Sequence, residues 1–248
     1  MPNALPHCSN CVSTEPQTER IIAVLLSHTH RFIFVKTRKT AGTSVEADLS
    51  KVMGPRDVVT MVYPAVEGHR PRNFKSLNPL RRLQRKHYYN HMPARLIREF
   101  AGRKVFDAYF KFCIEREPVA KTLSQYNMIT KDRSFKSFDP SLSWEEYLER
   151  GNFPVDAHLY LDQDGALMVD RILAYEKLGA ELAEVTASLG IVFAGLKAQA
   201  KAGSRSSLEV TPQQRQLIYV HSRLHCLSPA TRGEPPSLSR RKPKYRKR

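Results

Sequence analysis

Three groups of residues in this chain have the types and the spacing to handle a phosphorylated ligand. The first is Lys39-Thr-Ala-Gly-Thr-Ser44, a lysine and three hydroxyls set around a glycine. The second is Arg116-Glu-Pro118, with Ser124 eight residues after the arginine. The third is His91, within His87-Tyr-Tyr-Asn-His-Met-Pro-Ala94. A lysine neutralises charge on a phosphate oxygen. An arginine grips a terminal phosphate with two parallel N–H groups, and a serine on the next helix reaches it from the side. A histidine takes a proton near neutral pH.

The surrounding sequence supplies elements to position these groups. Phe32 to Val35 is an apolar run long enough for a short buried strand. After Ser44, apolar residues recur at Val45, Leu49 and Val52 with helical spacing until Gly54-Pro55. A strand, a small-residue loop and a helix make an anion site, because the first amides of a helix have no internal partner and its dipole favours negative charge there. Val105 to Ile114 reads as a second, aromatic-rich strand, ended by Glu115-Arg-Glu-Pro118. Pro118 suits the first position of a helix whose stripe is Val119, Leu123 and Tyr126. Asp170 to Tyr175 reads as a third strand, followed by a helix with Leu178, Leu182, Val185 and Leu189 on one face and Gly190 at its end. His91 precedes a helix carrying Leu96, Ile97 and Phe100, with Pro93 in its first turn and Gly102 as its stop. A histidine near a helix N-terminus is disfavoured as a cation and so stays able to accept a proton. The same placement suits a helix-capping histidine, and residue types alone leave both open. His87 is the alternative base. Arg116 has a bland alternative too, pairing with Glu115 or Glu117.

The ATP-binding loop places glycine ahead of lysine and lysine directly before serine or threonine. Here Lys39 precedes Gly42, and no glycine lies four or five residues upstream. The order resembles instead the 5′-phosphosulfate loop of sulfotransferases that use 3′-phosphoadenosine 5′-phosphosulfate (PAPS), in the carbohydrate-type, family 2-like branch. That family's 3′-phosphate motif runs arginine, acidic residue, proline and a later serine. Arg116, Glu117, Pro118 and Ser124 match it, with Lys121 where the family often has arginine. Tyr175-Glu-Lys-Leu178 matches a further Tyr-Glu-x-Leu segment, so the resemblance spans residues 30–205.

The resemblance implies an α/β, P-loop NTPase-like sulfotransferase fold, a central parallel sheet flanked by helices. It implies PAPS as donor and a carbohydrate or glycoconjugate hydroxyl as acceptor. Donor contacts would come from Arg38, Lys39, Thr40, Ala41, Gly42, Thr43, Ser44, Arg116, Ser124 and Arg205. Arg205 sits in Lys201-Ala-Gly-Ser-Arg205, where the family closes a loop over the nucleotide. Lys39 would be catalytic, and the uronyl 2-O-sulfotransferases are similar in placing a base histidine in a segment like that of His91. No metal is required, because lysine and helix dipole supply the positive charge. The chain departs from the family at Val220-His-Ser-Arg-Leu-His-Cys226, where an acidic residue and a Gly-Tyr pair are usual. That departure leaves the last helix and the domain's end open.

Composition agrees with this reading. The 248 residues suffice for one domain, placed at 30–227 between an N-terminal extension, 1–29, and a basic tail, 228–248. Net charge is +16; residues 229–248 carry eight Lys/Arg against one Glu, which leaves +9 elsewhere. A positive domain suits a polyanionic donor. Residues 70–86 hold seven basic residues and no acid, Arg81, Arg82 and Arg85 among them. These three are the candidate acceptor contacts if the segment folds over the site and the acceptor is an anionic glycan; a solvated loop explains the charge equally. Two rivals are a kinase-like nucleotide-binding protein of related fold, which would want a Walker loop and an acidic magnesium ligand, and a non-catalytic nucleic-acid binder resting on the basic stretches.

Ile21 to Leu26 is far short of the ~20 apolar residues of a membrane span. The upstream residues lack the pattern of a secretory signal. Animal members of the resembling family are usually Golgi-anchored, so this chain reads as a cytoplasmic bacterial form. Cys8 and Cys11 form a lone C-x-x-C without the second pair that zinc needs. Asp162-Gln-Asp-Gly165 reads as a turn rather than a calcium loop, and Ser143-Trp-Glu-Glu146 as a capping box.

Overall fold

The computed structural model describes residues 24–62, 65–75, 87–197 and 208–223. One sheet holds five strands, β1 Leu25–Ser27, β2 Phe32–Val35, β3 Val58–Val59, β4 Phe110–Glu115 and β5 Arg171–Ala174, in the order β3-β1-β2-β4-β5. β2 pairs parallel with β4, and β4 with β5. β1 pairs antiparallel with both β2 and β3. The protein is therefore α/β with a mixed sheet, where a parallel one was expected. The cause is β1, whose three residues are too few to show a period in the sequence. It also brings the start of the sheet inside the segment read as an N-terminal extension. Asp57 secures the β1–β2 turn, accepting from the Ser27 hydroxyl at 2.7 Å and from the amides of His28 at 2.8 Å, Thr29 at 3.0 Å and Gly54 at 2.8 Å.

Eight helices flank this sheet among the described residues. They are α1 Gly42–Ser50, α2 Ala94–Ala101, α3 Arg103–Ala108, α4 Pro118–Lys131, α5 Trp144–Glu149, α6 Ala157–Tyr160, α7 Leu178–Ser188 and α8 Pro212–Arg223. Alternation along the strands sorts side chains between two cores. Ile33, Val35 and Cys113 pack with Ile97 of α2, Phe106 of α3 and Leu159 of α6. Phe32, Phe34, Phe112, Ile114 and Leu173 pack with Val45 and Leu49 of α1 and Leu178, Leu182 and Val185 of α7. Phe34 and Phe112 stack at 5.1 Å between ring centroids. With both faces covered, all four residues of β2 are buried, which is why that segment reads as an unbroken apolar run. Burying each Phe ring contributes ~1.5–3 kcal/mol. A third cluster, Val119, Trp144, Tyr147 and Ile218, joins α4, α5 and α8.

Two element boundaries move. Val105 to Ala108 belong to α3 and not to the strand, because Gly102, at φ 86°, lets the chain leave α2 and start a new helix at once. The sequence also suggests a strand from Val58 to Tyr63; of it, the described residues form only Val58–Val59, and Val59 then bridges to Arg72. Pro118 stands at the first turn of α4, Ser143 and Glu146 form the capping box, and Asp162 closes its turn by accepting the amides of Asp164 and Ala166. Among the described residues no helix is long and apolar enough to cross a membrane. Cys8, Cys11 and the basic tail lie outside the described residues.

Candidate active site

Parallel pairing of β2, β4 and β5 puts the segments that follow them at one edge of the sheet, the carboxyl edge where open α/β sheets take ligands. The loop after β2 runs from Lys36 to Ala41. Thr37 pins it to the sheet by donating its hydroxyl to the Ile114 carbonyl of β4, and the hydroxyls of Thr37 and Thr40 meet at 2.9 Å. Thr40 is thus buried and bonded within the loop. Lys39 and Ala41 take positive φ, 60° and 57°. Two such non-glycine residues cost of order 1–3 kcal/mol each, a strain that clusters at ligand-binding loops. Ala41 is the N-cap of α1 and offers no side-chain oxygen to the helix, whose first turn carries no acid. The amides of Gly42 and Thr43 therefore open α1 without a side-chain cap.

A buried ion pair braces this turn from below. The Lys36 ammonium reaches Glu46 of α1 at 3.0 Å, and the other Glu46 oxygen accepts from Thr60 at 2.7 Å. The lysine chain passes so close under Gly42 that a Cβ there would lie 2.8 Å from Lys36 Cγ. Above the turn, the Lys39 ammonium lies 3.4 Å from the Met128 sulfur of α4.

The β4–α4 junction brings the second motif against the first. Arg116 Nη1 donates to the Lys39 carbonyl at 3.4 Å. The guanidinium lies 4.3 Å from the ring centroid of Tyr175, just after β5, and its Nε is buried with no hydrogen-bond partner among the described residues. Glu117 caps α4, accepting the amides of Val119 at 3.0 Å and Ala120 at 2.7 Å, and also accepts the Tyr219 hydroxyl of α8 at 2.7 Å. Its own carboxylate thus occupies the α4 N-terminus, and an anion held here falls to side chains, Arg116 first. Ser124 lies on α4, partly exposed.

Beneath both loops lies a charge network the sequence did not announce. Asp156, just before α6, is 1 % exposed. It accepts the Arg38 amide at 2.6 Å and Arg38 Nε at 2.5 Å, and pairs with Lys121 of α4 at 2.8 Å. Lys121 also pairs with Glu115 at 2.7 Å. Burial alone would lower the Lys121 pKa, but the two carboxylates outweigh it and raise it. Arg38 is occupied by Asp156 and by the Val155 carbonyl, at 2.8 Å.

His91 joins the same edge. At φ 54°, it places Nδ1 3.0 Å from the Lys36 carbonyl. A carbonyl only accepts, so Nδ1 carries the proton and Nε2 keeps its lone pair. Burial first, then the Lys36 ammonium, lower its pKa to about 4. His87 pairs by a β-bridge with Lys75.

Lys39, Arg116 and His91 thus converge on the β2–α1 loop, His91 through Lys36. Arg81, Arg82, Arg85 and Arg205 lie outside the described residues. Of the basic segment's described part, Arg72 serves the fold: its guanidinium donates to the carbonyls of Gly54 at 3.0 Å and Met53 at 2.8 Å, behind the end of α1. Sequence reasoning missed Asp156, Lys36, Glu46 and Tyr175 as supports of the site. Only a charge inside an apolar run marks Asp156, in Phe153-Pro-Val-Asp-Ala157.

No family model matches the sequence. The chain is similar to an uncharacterized protein of Archaeoglobus fulgidus, 36 % identical over 110 residues, which span 40 % of this chain and 83 % of that protein. The chain belongs to the same family as that archaeal protein, a membership that itself assigns no activity.

Proposed function

We propose that this protein is a PAPS-dependent sulfotransferase on a P-loop-like sulfotransferase fold, acting on a hydroxyl of a carbohydrate or glycoconjugate. The observation that carries the reading is the contact from Arg116 to the Lys39 carbonyl, between residues 77 apart in sequence. Two motifs that resemble the two phosphate-binding halves of one donor site meet at one sheet edge.

In this reading the opening amides of α1 hold the 5′-phosphate. Arg116, held over the Tyr175 ring, grips the 3′-phosphate together with Ser124. His91 Nε2 takes the proton of the acceptor hydroxyl as its oxygen bonds to sulfur. The bond from sulfur to the 5′-phosphate oxygen breaks, and Lys39 neutralises the charge left on that oxygen. The product nucleotide is 3′-phosphoadenosine 5′-phosphate. A histidine with a pKa about 4 is a weak base in the free protein. A bound polyanion beside Lys36 and Arg38 offsets their charge and strengthens it. Arg81, Arg82 and Arg85 would read an anionic acceptor.

Calorimetric titration tests the donor site. 3′-Phosphoadenosine 5′-phosphate should bind ~10- to 100-fold tighter than AMP, the worth of a charge-assisted bidentate contact. Equal affinities would overturn the reading. Transfer of labelled sulfate from PAPS to a panel of charged and neutral glycans then tests the reaction.

A further inference from the structure

We infer that Asp156 is a positioning residue that locks the two halves of the donor site to one another, holding the phosphate loop through Arg38 and helix α4 through Lys121. The role rests on the donor-site reading above.

Asp156 stands at the N-cap position of α6, where an aspartate ordinarily accepts the helix's own amides. It makes no such bond. Its carboxylate turns instead to Arg38, 118 residues away in sequence, taking both the backbone amide and the side chain. The amide contact matters most for geometry. Arg38 directly precedes Lys39, whose φ of 60° the loop must maintain. A carboxylate that fixes the preceding peptide limits the rotations by which Lys39 could relax.

The contact to Lys121 extends the lock to the second motif. Lys121 lies one turn into α4, five residues after Arg116, and is 4 % exposed. Charge is what makes an aspartate necessary. Arg38 and Lys121 both pair with this carboxylate, and Lys121 has Glu115 as a second partner, so an amide in place of Asp156 leaves two cations to one carboxylate in a poorly solvated site. Burial would raise the Asp156 pKa, but Lys121 and then Arg38 outweigh it and hold it below the usual carboxylate range. The lock therefore stays charged at neutral pH. Arg38 and Lys121 offset the charge of the carboxylate, which limits its repulsion of an anion in the loop above.

The test compares wild type with Asp156→Asn by amide hydrogen exchange on the ligand-free protein, then by nucleotide titration. Exchange at residues 38–41 should speed up at least tenfold, with amides of Ile33 and Phe112 in the sheet unchanged. Loss of general stability would instead speed both sets alike. Affinity for AMP should fall, and affinity for 3′-phosphoadenosine 5′-phosphate should fall further, about tenfold or more, because both half-sites loosen. Unchanged loop exchange, or equal acceleration in loop and sheet, overturns the proposal, as does nucleotide affinity within twofold of wild type. Should Asp156→Asn not fold, Arg38→Gln breaks the side-chain half of the lock and should give the same pattern at smaller size; a wild-type pattern there overturns it equally. If wild type binds neither nucleotide, the donor reading fails, while the exchange comparison still decides the lock.

Discussion

The Nδ1–H of His91 donates to the carbonyl oxygen of Lys36 at 3.0 Å, tying this candidate base to the first residue of the β2–α1 loop. The contact fixes the tautomer and aims the lone pair of Nε2 away from the backbone. It also sets the histidine beside the Lys36 ammonium, which joins burial in lowering its pKa.

That depression makes a prediction about stability. An unfolded histidine titrates near 6.5, and the folded one at about 4. Between those values the unfolded chain binds more protons, so stability is full above ~6.5 and falls as pH drops toward 4. The loss from this one group is at most ~3 kcal/mol. Urea midpoints at pH 7 and pH 4.5 should differ less in His91→Gln than in wild type. Equal pH dependence would show that His91 is not depressed.

The same residue predicts a split in kinetics. His91→Ala should lower the turnover number ~100-fold or more while donor affinity changes little, because a base acts on the acceptor. An imidazole carbon resonance of His91 should titrate at higher pH once 3′-phosphoadenosine 5′-phosphate is added. Wild-type turnover in His91→Ala with loss in His87→Ala moves the base to His87.

Lys39→Ala should leave the melting temperature nearly unchanged, since the side chain sits on a loop and belongs to none of the described apolar clusters. Turnover should fall ~100- to 1,000-fold, the scale for removing one group that meets charge developing in the transition state. A variant with intact turnover would show that another cation, such as Arg116, carries that charge.

Much of this frame was legible in the sequence, and the reasons are local. Phe32–Val35 is covered on both faces, so its apolar run had one reading. α1, α4 and α7 carry stripes and end signals that survive folding. β1 was hidden because three residues show no period, and Val105 was misread because a φ of 86° at Gly102 turns one helix directly into another. The β2–α1 loop was legible as a strand-to-helix turn because its residues are contiguous. Asp156 and Tyr175 were not, because their parts in the site depend on partners in other segments.

The buried pair under Gly42 sets the next expectation. Gly42→Ala puts a Cβ 2.8 Å from Lys36 Cγ, a carbon in the middle of a chain whose far end is held by Glu46. The lysine cannot swing aside without breaking a buried ion pair. The variant should lose ~1–3 kcal/mol, the usual cost of overpacking. Gly42→Ala combined with Lys36→Ala should be less destabilised than the two single losses added together. Chemical denaturation of the four proteins gives the coupling directly, and strict additivity would refute the contact.

Arg116 and Tyr175 close the argument on donor choice. The guanidinium lies over the ring, 4.3 Å from its centroid, an arrangement that removes much of the rotamer freedom an arginine would otherwise lose on binding. If Arg116 grips the 3′-phosphate, Arg116→Ala should erase the preference for 3′-phosphoadenosine 5′-phosphate over AMP, a change of ~10- to 100-fold, and leave AMP affinity close to wild type. Tyr175→Leu keeps the charge and removes the ring face. It should weaken the preference by only ~2- to 5-fold, the worth of a partly exposed cation–π contact. Parallel titrations of the three proteins with both nucleotides separate the effects. Loss of affinity for both nucleotides alike in Arg116→Ala would mean that the arginine supports the Lys39 loop through its carbonyl contact and does not read the 3′-phosphate.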